Sequence, residues 1–109
     1  MVRLRIFATL VVFVWATSAG FGQVRTMKLA VTTSFHNSGL AEVLLPEIRA
    51  DLGLEVQLLV VGTGQALRLG RSGDVDAVLV HARAAETEFV AQGHATHRRE
   101  IMYNDFVLV

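Results

Sequence analysis

The sequence predicts an α/β domain: a mostly parallel sheet flanked by helices. Short β-rich runs alternate with longer stretches whose apolar residues recur at helical spacing. The connections are long enough for crossover helices, as parallel strands require. Glycine or hydroxyl residues stand at the junctions where strands give way to helices. At 109 residues the chain holds at most one ordinary domain.

Residues 1–22 read as a secretory signal peptide. Arg3 and Arg5 precede an apolar run over residues 6–15, and small residues follow at Ala16, Ser18, Ala19 and Gly20. The run is shorter than the roughly 18–20 residues that cross a bilayer, so no stable membrane anchor is expected. Cleavage after a leader of this kind implies a periplasmic or secreted product. Residues 26–109 then form the folded part.

Residues 28–33 (KLAVTT) form the first strand, ending in hydroxyl residues. From Ser38 to Leu52, the apolar positions Leu40, Val43, Leu44, Ile48 and Leu52 follow helical spacing. Ser38 suits an N-cap and Gly53 a stop, while Pro46 implies a kink or a late start. Residues 55–61 (EVQLLVV) are nearly continuous in apolar side chains, as in a strand buried on both faces.

After Gly62-Thr63-Gly64 comes a short helix over residues 65–72, with Leu67 and Leu69 inward. Gly73-Asp74 is a turn and residues 77–80 a third strand. Residues 84–92 form a helix that buries Phe89 and Val90 and ends at Gly93. From about His94 to Val109, two strand segments are expected around Tyr103-Asn104-Asp105. An apolar strand at residues 106–109 with no cap or turn after it implies truncation and an aggregation-prone edge.

Composition excludes several functions. The formal net charge is zero, so no basic excess marks a nucleic-acid partner. The absence of cysteine removes disulfides and thiolate metal sites. His36, His81, His94 and His97 lack paired metal-ligand spacing, and neither a metal nor another cofactor is expected. No Gly-x-Ser-x-Gly elbow is present, and the acids Asp74, Asp76, Glu86 and Glu88 read as solvated turn or helix charges. Arg98-Arg99-Glu100 reads as a surface patch from which one arginine could reach a cleft.

Two strand ends carry the chemistry that remains. Thr32-Thr33-Ser34 closes the first strand and Gly62-Thr63-Gly64 the second. Ligands of open α/β sheets sit at the carboxyl ends of strands, where helix N-termini present free N–H groups and partial positive charge. Hydroxyls add neutral donors, and glycine permits close backbone approach. An anion suits such a place. Simple helix capping is the alternative, because Gly-x-Gly alone is a weak signal and the GK[ST] ending of a nucleotide loop is missing.

The segments LAVTTSFHNSGL (29–40), LLPEI (44–48), VVGTGQALRLGRSGDVDAVLVH (60–81), EFVAQG (88–93) and RREIMYNDFVLV (98–109) resemble, in this order, the tungstate-binding proteins of bacterial ABC transporters. The resemblance implies the first lobe of a two-lobed, type II periplasmic-binding-protein-like fold, truncated near the hinge. It implies an oxyanion ligand, tungstate or a relative, and delivery to a transporter permease and ATPase. It also implies that the chain is not an enzyme.

Matching the family's motifs makes Thr32, Thr33, Ser34 and Thr63 the expected contacts, with Gly64 supplying a backbone amide. The family's first threonine of a TTTS stretch is Val31 here, and its LVHDP continues as Leu79-Val80-His81-Ala82-Arg83. Family members run to well over twice this length, with a second lobe that adds an arginine. Phosphate, molybdate or sulfate are alternative ligands, and an exported α/β hydrolase using Ser34 or Ser38 is an alternative class.

Overall fold

The computed structural model describes residues 22–103 and 107–109. The expected leader therefore lies, but for Gly22, outside the described residues, as do Asn104, Asp105 and Phe106. The element order is β1 (Arg25–Thr32), α1 (Thr33–Asn37), α2 (Leu40–Leu52), β2 (Leu54–Val61), α3 (Thr63–Ser72), β3 (Ala77–Leu79) and α4 (Arg83–Ala91).

The strands form one sheet in the order β2-β1-β3, and both pairings are parallel. Thr32 stands opposite Val61, and Val31 opposite Leu79, so the three strands finish on one edge. The central strand carries the core: Ala30 and Val31 are fully buried. Ala66 and Leu67 of α3, Ala41 of α2 and Phe89 of α4 complete it. Leu67 and Phe89 are thus the buried anchors expected of their helices, while Leu69 and Val90 are half-buried.

The second strand departs from expectation. Its apolar run predicts burial on both faces, yet its residues alternate in exposure and Val60 is 40% exposed. As one of the two edge strands of the described sheet, β2 has α2 packed on it and pairs with a neighbour on one side only. Its composition reflects β propensity as much as burial.

The helix after β1 also differs. A separate turn, α1, forms first, and α2 then begins at Leu40 from Gly39, whose φ of 74° is the left-handed region open to glycine. Ser38 is not itself the cap residue. Its Oγ accepts the Leu40 N–H at 3.2 Å and donates to the Phe35 carbonyl at 2.6 Å, satisfying a donor from one position upstream. Pro46 sits within α2, which runs on to the expected stop at Gly53.

Two of the acids expected to be solvated, exposed Asp76 and half-buried Glu86, also make bonds to residues distant in sequence. Lys28 N–H donates to Asp76 Oδ2 at 2.8 Å while Asp76 N–H donates to the Lys28 carbonyl at 2.9 Å, clipping the approach to β3 onto β1. Glu86 accepts from Arg98 Nε at 2.8 Å. Asp74 and Glu88 keep local roles, accepting from Ser72 and Gln92.

Helix α3 lies close to Phe89 because residue 70 is glycine. A Cβ there would fall 2.7 Å from Phe89 Cζ and 3.4 Å from Val78 Cγ1. The ring is further bounded by His94, with centroids 5.3 Å apart, and by the Arg71 guanidinium, 5.8 Å from its centroid.

The expected final strands are not found: none of residues 94–103 or 107–109 joins the sheet. A strand needs a neighbour that extends along it, and β3 offers only three residues. The segment instead runs against α4, tied by the Arg98–Glu86 pair.

Candidate anion-binding site

Helices α1 and α3 start from adjacent strands, each leaving its strand by the same backbone step. Thr32 has φ −81° and ψ 158°, and Gly62 has φ −76° and ψ 161°. Extended geometry at both N-caps aims the following amides outward along the strand direction. Within α3 the first helical bond is Ala66 N–H to the Gly62 carbonyl, at 2.9 Å, so the amides of residues 63–65 have no helical acceptor.

What surrounds these amides separates the two helices from the others. None of the four described helices has a side-chain cap hydrogen bond, but α1 and α3 also have no acidic residue in the first turn. By contrast, α2 carries Glu42 and α4 carries Glu86 in the first turn. A carboxylate there would occupy the positive end of the helix; its absence leaves that end for an external anion.

The hydroxyls fall where the sequence predicts. Thr32 is 5% exposed, and its Oγ1 lies 3.1 Å from Ser34 Oγ. The pair is mutually oriented, and each oxygen retains capacity for a further partner. Thr33 is exposed, Thr63 half-buried and Gly64 exposed. Ser34 Oγ thus has a hydroxyl as its hydrogen-bond partner.

Arg68 was not among the expected site residues. It follows Gly64 by one helical turn, and its side chain lies back along α3 toward the N-terminus, as helical side chains do. Its Nε donates to Gln65 Oε1 at 3.2 Å, and its Nη1 is 3.7 Å from where a Gly64 Cβ would be.

A solvent-open groove of about 1230 Å³ includes Thr32, Ser34 and His81, with Arg98, Ile101 and Tyr103 also in its lining. Thr33, Thr63 and Gly64 lie outside that lining. Thr32 and Ser34 are therefore brought together, whereas the α3 positions stand beside the groove. Arg98 fulfils the expectation that one arginine reaches a cleft. Its hydrogen bond to Glu86 raises the guanidinium's pKa from an already high ordinary value, so it is a permanent cation. Among the described residues, no cluster of His, Asp or Glu could hold a metal, and no helix is long and apolar enough to cross a membrane.

Comparison with known proteins identifies the family of this fold. The PBP superfamily domain matches residues 17–109. The tungstate-binding protein TupA of Peptoclostridium acidaminophilum is 54% identical over 81 residues, which are 74% of this chain and 28% of the relative. A putative ABC transporter anion-binding protein of Haloferax volcanii is 41% identical over 93 residues, covering 85% of this chain and 27% of the relative. Among solved structures, the tungstate-binding protein TupA of Desulfovibrio alaskensis superposes with a TM-score of 0.73 at 47% identity, covering 74% of this chain and 32% of that one. The tungstate ABC transporter structure from Geobacter sulfurreducens gives 0.70 at 50% identity, covering 73% and 34%.

The chain thus spans about 28% of the length of the first of these relatives. With a family model covering residues 17–109 and a parallel sheet flanked by helices, the chain belongs to the PBP superfamily.

Proposed function

We propose that this chain is the oxyanion-binding first lobe, residues 26–109, of a substrate-binding component of an ABC transporter for tungstate or a related oxyanion. Thr32, Thr33, Ser34 and Thr63 donate to the ligand, and the Gly64 amide adds a backbone contact. The observation that carries the reading is the pair of uncapped helix N-termini, free of first-turn acids, that open side by side at one sheet edge. The resemblance to tungstate-binding relatives supports tungstate over phosphate or sulfate. The ligand binds as an oxyanion, held by N–H and O–H donors rather than as a coordinated metal.

Residues 1–22 direct export, and the mature protein acts in the periplasm. It delivers its ligand to a membrane permease and ATPase and catalyses no reaction itself. Isothermal titration with tungstate, molybdate, sulfate and phosphate tests the proposal. Saturable heat with tungstate, weakened by Thr32→Val, is expected. A chain that binds none of these anions overturns the reading, and a preference for phosphate or sulfate overturns the ligand class.

A further inference from the structure

Helix α3 carries two arginines in different electrostatic settings. Arg71 lies in the last turn, where a cation complements the helix dipole. Arg68 leans the other way, toward the free amides that begin the helix. Its Nη1 is 3.7 Å from the place of a Gly64 Cβ, so the guanidinium lies alongside a residue whose amide has no helical acceptor.

Two hydrogen bonds hold Arg68 in this place. Nε and Nη2 donate to the same atom, Gln65 Oε1, at 3.2 and 2.5 Å. The acceptor is a neutral carboxamide, so the guanidinium is fixed with its charge intact, whereas a glutamate at this position would cancel it. Nη1 keeps both of its N–H groups clear of Gln65. The other donors of the proposed site, hydroxyls and backbone amides, are uncharged. A cation turned toward the positive end of a helix costs stability on its own, and an anion bound beside both offsets that cost.

We infer that Arg68 is a specificity-determining residue of this site: a fixed cation by which the lobe prefers a tetrahedral dianion to a monoanion of the same shape. Gln65 is the residue that positions it. The inference rests on the function proposed above and adds the charge of the ligand to it. Hydroxyls and amides respond to the size and acceptor geometry of an oxyanion, and a guanidinium adds an attraction proportional to its charge. Arg68 is exposed, so that attraction is screened by salt and greatest at low ionic strength.

Titration of the full chain with tungstate and with perrhenate, a tetrahedral monoanion of closely similar size, tests the inference. At low ionic strength Arg68→Gln should bind tungstate about tenfold more weakly and perrhenate only about threefold, because a dianion loses twice the Coulomb energy of a monoanion. The ratio of the two affinities should thus fall about threefold, and the difference should shrink in high salt. Arg68→Lys keeps the charge and should retain most of the preference. Without anion, the urea midpoint of Arg68→Gln should be unchanged or higher, since a cation leaves the positive end of the helix.

An unchanged ratio overturns the inference and leaves the oxyanion reading in place. Equal weakening of both anions together with a lowered midpoint does the same, because it marks Arg68 as structural. A lysine variant as indiscriminate as the glutamine one overturns the assignment to charge. A wild-type chain that binds no oxyanion defeats the proposed function and this inference with it, whereas tungstate bound alike by wild type and Arg68→Gln defeats only the inference.

Discussion

Replacing Gly70 with alanine tests whether the seating of α3 depends on its close approach to Phe89. The new Cβ would lie 2.7 Å from Phe89 Cζ, 3.3 Å from Cε2 and 3.4 Å from Val78 Cγ1. Carbon atoms rest at about 3.5–4.0 Å, so the ring or the helix must shift by roughly 1 Å. The ring has little room to do so: it is 4% exposed and is flanked by His94 and Arg71. Overpacking of this kind costs about 1–3 kcal/mol, and alanine's better helix propensity returns about 1 kcal/mol.

Net destabilisation of about 1 kcal/mol is therefore expected, read as a lower urea midpoint with an unchanged slope. Phe89→Leu supplies the matching background, because leucine has no atom at the Cζ position. There Gly70→Ala should become neutral or stabilising, and the double-mutant cycle should show that coupling. A single variant as stable as wild type, or an additive cycle, refutes the argument. Because α3 carries the amides of residues 63–65, a shift of the helix should also weaken oxyanion binding.

Thr32→Val should change stability by less than about 1 kcal/mol, since it removes one hydroxyl contact while keeping the buried shape, but should weaken tungstate roughly tenfold or more in titration. Asp76→Ala removes the acceptor for Lys28 N–H and should cost about 1 kcal/mol by urea denaturation; an unchanged midpoint would show that the clip is dispensable. Val107, Leu108 and Val109 are exposed, as are Ile101 and Met102, so the isolated chain should self-associate; a monodisperse monomer by light scattering counts against this.

The alternation of strand and helix, and hence the parallel sheet, was legible in the sequence because both depend on local periodicity and on glycine at turns. Leu67 and Phe89 were identifiable as buried for the same reason. The hydroxyls of Thr32 and Ser34 were legible because strand ends that lead into helices are where an α/β sheet exposes free amides. The resemblance to a known family sharpened the ligand, and the roles of Thr32, Thr33, Ser34, Thr63 and Gly64 as anion contacts are part of the proposal.

Long-range placement was not legible. Burial of β2 could not be inferred from its apolar run, since an edge strand and a central strand can share a composition. Asp76 and Glu86 look like solvated acids until the fold brings them to Lys28, 48 residues away in sequence, and to Arg98, 12 residues away. Residues 101–103 are an apolar run like that of a strand, but pairing requires a neighbour that only the assembled sheet can supply. Sequence alone therefore determined the elements and the two donor-rich strand ends, through local propensity and turn chemistry. Tertiary structure decided which helix ends share an edge and which acids become clips, because both depend on contacts between residues distant along the chain.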